Sequence, residues 1–146
     1  MNKVLIIDDE KSILDSLSSI LQDEGFEVFK ATDGMEGLSI FEAEKPEVVL
    51  LDVWMPEMDG LQILKNIKKK NQGSTVIVIS GHGTISTAVE AVKLGAYDFL
   101  EKPLSIDKVL EVISRGVAGE SRRSYKAEDF RVGITKGVDI YKQKTI

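Results

Sequence analysis

The fold is decided by one stretch, VVLLDVWMPEMDG at residues 48–60. Its first four residues are apolar and lead directly into Asp52, and turn-forming residues follow from Pro56 to Gly60. A short, continuously apolar run is typical of a strand that is buried on both faces, as in a parallel sheet covered by helices. Ligands of such sheets bind at the carboxyl ends of the strands. We therefore expect Asp52 to leave the core at that edge and to reach solvent there.

Five apolar strands alternate with five amphipathic helices along the rest of the chain. The strands are predicted at residues 4–7, 26–31, 48–51, 76–79 and 97–100. The helices are predicted at residues 12–24, 34–45, 60–70, 84–94 and 105–116, with Ser12 and Ser105 as the N-caps of the first and last. The alternation predicts an α/β fold, a doubly wound five-stranded parallel sheet with five helices and right-handed crossovers. The second strand is the most polar, so we expect it at an edge of the sheet.

Composition and charge exclude several classes of protein. The chain has no cysteine, which excludes disulfides and thiolate metal sites. Neither a signal peptide nor a run approaching the ~20 apolar residues of a membrane span is present, so we expect a cytoplasmic protein without membrane contact. Residues 1–119 carry 12 Lys and Arg against 20 Asp and Glu, a balance of −8. Such an acidic domain would repel phosphates, so we expect no direct nucleic acid contact.

The last thirty residues depart from the pattern. Residues 1–116 are predicted to form one domain, and residues 117–124 resemble a linker. Residues 130–146 alternate apolar and polar side chains, as exposed strands do, with no partner core of their own. Residues 117–146 are therefore interpreted as a linker and the truncated start of a further domain, or as a tail foreign to the native protein.

Charged and hydroxyl side chains follow the predicted strands at one edge of the sheet. Asp8 and Asp9 follow the first strand, Asp52 the third, Ser80 the fourth and Lys102 the fifth. Three carboxylates at one edge repel each other unless a cation neutralises them, and oxygen ligands suit Mg²⁺ or Mn²⁺. Aspartate is an established nucleophile for forming an aspartyl-phosphate, which a cation and a lysine would stabilise. The pattern predicts phosphoryl transfer to an aspartate at this edge of the sheet.

In this order and spacing the residues resemble the receiver domains of two-component response regulators, over residues 3 to about 116. The matching motifs are the acidic pair at residues 8–9, LDVWMPEMDG at residues 51–60, Ser80, and Lys102-Pro103. The resemblance implies the flavodoxin-like strand order 2-1-3-4-5. It also implies that a sensor histidine kinase phosphorylates Asp52. Residues 80–104 are similar to receivers of the NtrC type, which regulate σ54-dependent transcription.

The resemblance further implies a metal site. Asp9, Asp52 and the backbone carbonyl of Trp54 would hold Mg²⁺, and Asp8 would act through water. The side chains of Trp54 and Met55 are expected to lie half-exposed at the rim of this site.

A switch is implied by the same resemblance. Lys102 would pair with the phosphoryl group, and the Lys102–Pro103 peptide bond is expected to be cis. Ser80 and Phe99 would form the switch pair, with phenylalanine standing where tyrosine is common in the family. His82, the only histidine, is expected to shape the turn after the fourth strand. Apart from its own phosphorylation and autodephosphorylation, such a domain is not an enzyme.

The fourth predicted helix is apolar over more than one stripe. Its apolar residues include Ala88, Val89, Ala91, Val92 and Leu94. One stripe suffices to cover the sheet, so the excess favours an outer contact surface, formed with the fifth strand and fifth helix. We expect phosphorylation to change this face, which would form a homodimer or control a downstream output such as transcription.

Two alternatives remain open at this point. The first is a receiver-fold protein-interaction module that does not cycle phosphate. The second is a haloacid-dehalogenase-like phosphatase, which also uses a strand-end aspartate and Mg²⁺. That class would have a second aspartate two residues beyond Asp52, where this chain has Trp54.

Overall fold

The structure, a computed structural model, describes residues 2–55, 58–81 and 85–120. Within these residues five strands form one sheet: β1 (Lys3–Ile7), β2 (Glu27–Ala31), β3 (Val48–Asp52), β4 (Thr75–Ser80) and β5 (Asp98–Glu101). Five helices connect or follow them: α1 (Lys11–Asp23), α2 (Gly34–Glu44), α3 (Gly60–Lys70), α4 (Ile85–Lys93) and α5 (Ile106–Val117). Two-residue strands, Trp54–Met55 and Met58–Asp59, form a separate antiparallel pair after β3.

The sheet has the order β2-β1-β3-β4-β5, and every neighbouring pair is parallel. This confirms the predicted flavodoxin-like order and places the polar β2 at an edge. The direction of winding reverses between β1 and β3, which is where doubly wound sheets open a ligand crevice. Ile7 of β1 pairs with Leu51 of β3, so the residues that follow these two strands emerge side by side.

Two apolar layers cover the sheet. Leu5, Ile7, Val49 and Leu51 face the layer that contains α2, α3 and α4. The alternate residues of the same strands face α1 and α5. The whole apolar run at residues 48–51 is inaccessible to solvent, as a strand covered on both faces should be. Close packing on both faces holds the carboxyl end of β3 in place.

The start of α1 differs from the prediction. The helix begins at Lys11 with Glu10 as its N-cap, so the assignment of Ser12 as the cap was wrong. Asp8 explains the earlier start, because its carboxylate Oδ1 accepts a hydrogen bond from the Glu10 backbone N–H at 2.8 Å. The acidic residues after β1 are thereby tied into the turn that opens the helix. Ser105 does cap α5, as predicted.

Close backbone packing fixes the start of α3 beside the end of β3. A side chain at Gly60 would collide with the backbone of Val53, so only glycine allows this approach. The Asp59 carboxylate accepts a hydrogen bond from the Leu61 N–H at 3.0 Å and caps the helix. Asp59 and Gly60 thus bring α3 against the strand that carries Asp52.

Some predictions fall on residues that the structure does not describe. They concern His82 in the turn after β4 and the tail from residue 121 onward. Among the described ranges, no helix combines the length and the apolarity that crossing a membrane requires.

Candidate functional site

Three carboxylates converge at the carboxyl ends of β1 and β3. Asp8, Asp9 and Asp52 each present an oxygen within 4.8 Å of the others. Asp8 and Asp52 are 2% and 3% exposed, whereas Asp9 is exposed. Adjacent parallel strands with level ends produce this convergence, as the sequence predicted. Two buried carboxylates side by side need a positive charge close to them.

The Asp52 carboxylate is held in a defined orientation. Its Oδ1 accepts a hydrogen bond from the backbone N–H of Trp54 at 2.9 Å, and its Oδ2 lies 3.3 Å from the Lys102 Nζ. Burial raises the pKa of Asp52 to about 6, and the charge of Asp8 adds to the rise, while the Trp54 N–H and Lys102 oppose it. The group is therefore mostly ionised at neutral pH, as a nucleophile must be, yet it responds strongly to a nearby cation.

Lys102 supplies the positive charge that these carboxylates need. Its Nζ lies 3.0 Å from Asp8 Oδ2, 3.0 Å from Glu10 Oε1 and 3.3 Å from Asp52 Oδ2. Burial alone would lower the pKa of Lys102, but the hydrogen bonds to Glu10 and Asp8 and the charges of Asp52 and Asp8 outweigh it and raise this pKa above its usual range. The ammonium is therefore a permanent cation at this edge of the sheet.

Glu10 is the site residue that sequence reasoning missed. It follows Asp8 and Asp9 directly, so three consecutive acids were visible, but only the first two were assigned a role. Its partner Lys102 is 92 positions away, and no local pattern connects them.

The predicted switch residues lie on the neighbouring strands β4 and β5. Ser80 is fully buried at the end of β4, and Phe99 is 4% exposed within β5. The Lys102 backbone N–H donates a hydrogen bond to the Ser80 carbonyl at 2.8 Å, which ties the position of the lysine to the end of β4. The Lys102–Pro103 peptide bond is cis, as expected. The switching role of this pair stays a prediction.

The hairpin after Asp52 differs in part from expectation. The Trp54 side chain is 55% exposed at the rim of the site, as predicted. Met55 was expected to be half-exposed, but it is only 8% exposed. The short strand Trp54–Met55 pairs with Met58–Asp59, which turns Met55 into the apolar layer that contains α2, α3 and α4.

The donor set fits a hard divalent cation. Three carboxylate oxygens at this spacing, two of them buried, can enter an octahedral shell completed by water or backbone carbonyls. No thiolate competes in a chain without cysteine. The residues present therefore suit Mg²⁺ or Mn²⁺.

Comparison with known proteins supports the resemblance to receiver domains. The family described as the response regulator receiver domain matches residues 4–114. An NtrX-like response regulator of Rickettsia bellii is 50% identical over 115 residues, which is 77% of this chain and 24% of that protein. The chemotaxis protein CheY of Listeria monocytogenes is 40% identical over 116 residues, 79% of this chain and 98% of that protein.

The solved structure of a receiver domain is also similar to this chain. The solution structure of the beryllofluoride-activated NtrC4 receiver domain dimer superimposes with a TM-score of 0.77 at 44% sequence identity. The match covers 82% of this chain and 98% of that one. The chain spans about a quarter of the length of the NtrX-like relatives that it matches.

Proposed function

Because this chain belongs to the response regulator receiver family and is of the NtrC type, we propose that Asp52 accepts a phosphoryl group from a sensor histidine kinase. The observation that carries this proposal is the setting of Asp52: a buried carboxylate beside two others, with the Lys102 ammonium 3.3 Å away. A purely structural aspartate would have no use for two further carboxylates at the same edge. A phosphoacceptor has, because they recruit the cation that phosphoryl transfer requires.

Asp9, Asp52 and the backbone carbonyl of Trp54 would hold the Mg²⁺ or Mn²⁺, with Asp8 acting through water. When bound, the cation offsets negative charge on the transferring phosphoryl oxygens. The Trp54 N–H holds the Asp52 carboxylate in place, so that one carboxylate oxygen bonds to phosphorus as the bond from phosphorus to the donor breaks. Lys102 then pairs with a phosphoryl oxygen, and the Ser80 hydroxyl donates a hydrogen bond to another.

The consequence of phosphorylation would be a change in the face formed by α4, β5 and α5. Ser80 would move towards the phosphoryl group, and Phe99 would turn into the space that it leaves. Val89 and Val92 of α4 are only partly buried, which leaves apolar surface for a homodimer or an output partner. The NtrC4 receiver domain, 44% identical, is described as a dimer in its activated form.

The proposed output is transcription, controlled by a further domain. In this arrangement residues 1–116 are the receiver, and residues 117–146 are a linker and the start of the next domain. The receiver would contact a kinase and its own copy, and neither nucleic acid nor membrane. Its proposed location is the cytoplasm, where response regulators typically act. Receiver domains are generally not enzymes, so we propose only its own phosphorylation and autodephosphorylation as chemistry.

Intact mass measurement after incubation with acetyl phosphate and MgCl₂ tests the proposal. We expect the wild type to gain one phosphoryl group, and Asp52→Asn and a metal-free sample to gain none. Asp23→Asn is the matched control, since Asp23 is an exposed carboxylate at the far end of α1. If the wild type gains no phosphoryl group, the proposal is wrong and a receiver-fold interaction module is favoured. Turnover of a phosphate monoester would instead favour the phosphatase.

A further inference from the structure

Glu10 differs from the other two carboxylates that contact Lys102. Its side chain is 56% exposed, whereas those of Asp8 and Asp52 are 2% and 3% exposed. It also lies outside the group of three carboxylates whose oxygens converge within 4.8 Å. The Lys102 ammonium is thus shared between two residues of the proposed metal site and one residue that is not part of it.

This sharing creates a competition. A divalent cation would draw on the carboxylates of Asp8 and Asp52, which the ammonium already contacts, and two positive charges in one small site repel each other. The ammonium must therefore give up part of its pairing when the metal binds. A lysine that is 12% exposed cannot regain full hydration, so losing its partners would be costly.

Glu10 offers the ammonium a partner that the metal does not use. Its Oε1 already lies 3.0 Å from the Lys102 Nζ. A small shift towards this oxygen keeps Lys102 paired while the buried carboxylates turn to the cation. The same contact keeps the ammonium at the edge of the site, where an incoming phosphoryl group would meet it.

We propose that Glu10 is a positioning residue that holds Lys102 while a divalent cation engages the carboxylates of Asp8 and Asp52. The inference rests on the proposed function, because it assumes that a divalent cation binds there. It assigns Glu10 an effect on metal affinity that operates through Lys102, in addition to the attraction that any nearby negative charge exerts on a cation.

Binding of Mn²⁺ alone, measured by loss of the free-ion electron paramagnetic resonance signal, tests the inference without phosphorylation. Four proteins form a double-mutant cycle: the wild type, Glu10→Gln, Lys102→Met and the double variant. We expect Glu10→Gln to weaken Mn²⁺ binding about threefold to tenfold when Lys102 is present. In the Lys102→Met background the same change should weaken binding by less than about twofold, because only the through-space charge remains.

Two further variants separate contact from charge. Glu10→Asp keeps the charge but shortens the side chain by one methylene, so it should bind Mn²⁺ nearly as weakly as Glu10→Gln. This variant also serves if Lys102→Met does not fold. Asp15→Asn removes a charge from the exposed side of α1, where the residue pairs with Lys30, and should leave the affinity unchanged.

The outcomes that overturn the inference are distinct from those that overturn the proposed function. Equal losses from Glu10→Gln in both backgrounds, or a Glu10→Asp variant that binds like the wild type, would show that Glu10 acts only as a charge. If the wild type binds no Mn²⁺ at all, both the metal site of the proposed function and this inference are wrong.

Discussion

The two ends of the same parallel sheet hold lysines in opposite settings. At the carboxyl end Lys102 lies among three carboxylates. At the amino end Lys68 donates hydrogen bonds to the backbone carbonyls of Gln72 and Ser74, both at 2.7 Å. Carbonyls neither titrate nor repel each other as carboxylates do, so these two contacts of Lys68 do not depend on the ionisation of their acceptors. The carboxyl end contains charges that a metal or a phosphoryl group could rearrange. The proposed phosphoryl transfer is therefore assigned to this end.

Removing each lysine in turn should give the largest difference in stability between the two ends. Lys102→Met leaves Asp8 and Asp52 buried side by side without a cation, so we expect a loss of about 3 kcal/mol in the free energy of unfolding at pH 7.5. Lys68→Met removes two hydrogen bonds to carbonyls and should cost about 1–2 kcal/mol. Urea unfolding at several pH values is the measurement. Only the Lys102→Met loss should shrink on acidification to pH 5, where Asp52 takes up a proton; losses of equal size and equal pH dependence would contradict the distinction.

The pH dependence of stability should identify Asp52 as a source of strain at the carboxyl end. Its pKa in the folded protein, about 6, lies above the ordinary 3.8, so the folded state binds this proton more tightly than the unfolded state. Ionisation therefore removes stability as the pH rises from about 4 to 7. Asp52→Asn should be more stable than the wild type by up to about 3 kcal/mol at pH 7.5 without metal, and the gain should vanish below about pH 4.

Urea unfolding of Asp52→Asn beside Asp23→Asn isolates this effect, since the second variant removes an exposed charge. Addition of MgCl₂ should reduce the gain, because the metal stabilises the ionised carboxylate. A gain that does not change between pH 4 and 7.5 would show that the burial of Asp52 carries no electrostatic cost.

Each end of the sheet also has a closely packed glycine, and the two glycines meet different neighbours. A Cβ at Gly60 would meet the backbone of Val53, whereas a Cβ at Gly116 would meet the Thr75 side chain at the amino end. A side chain can move and a buried strand end cannot. We expect Gly60→Ala to destabilise by about 1–3 kcal/mol and Gly116→Ala by less. Thermal unfolding of the two variants measures the difference, and the reverse order would refute this account of the packing.

Tyr97 should show the smallest effect. It lines a cavity of about 540 Å³ at the amino end, together with Lys68 and Thr75. Among the described side chains its hydroxyl is buried and has no hydrogen-bond partner. Replacing it by phenylalanine removes a polar group that gains nothing from burial, so Tyr97→Phe should be neutral or more stable by up to about 1 kcal/mol. Destabilisation in urea unfolding would show that the hydroxyl has a partner.

The strands and their order could be predicted because apolar runs that end in polar residues repeat at regular intervals. Boundaries shifted by single residues: β4 includes Thr75 and Ser80, which are polar but belong to the ladder. Asp8 and Asp9 follow the first strand at the edge where they were predicted, the one buried and the other exposed. These features depend on near neighbours in the chain, and a pattern can report them.

Features that depend on individual contacts, distant or local, could not be predicted. Glu10 meets Lys102 only because β1 and β5 end at the same edge of the sheet. Met55 is buried because the short hairpin turns it inward, which its position beside the exposed Trp54 did not reveal. The early start of α1 depends on the hydrogen bond from the Glu10 N–H to Asp8. The local sequence around a side chain does not show whether such a contact forms.

Locating the phosphoryl group tests the proposal that Asp52 is the phosphoacceptor. Wild-type protein treated with acetyl phosphate and MgCl₂ is reduced with borohydride, which converts an aspartyl-phosphate to homoserine, and its peptides are sequenced by mass spectrometry. We expect homoserine at position 52, and only when metal is present. Homoserine at position 8 or 9 instead, or at no position, would contradict the assignment of Asp52 as the phosphoacceptor.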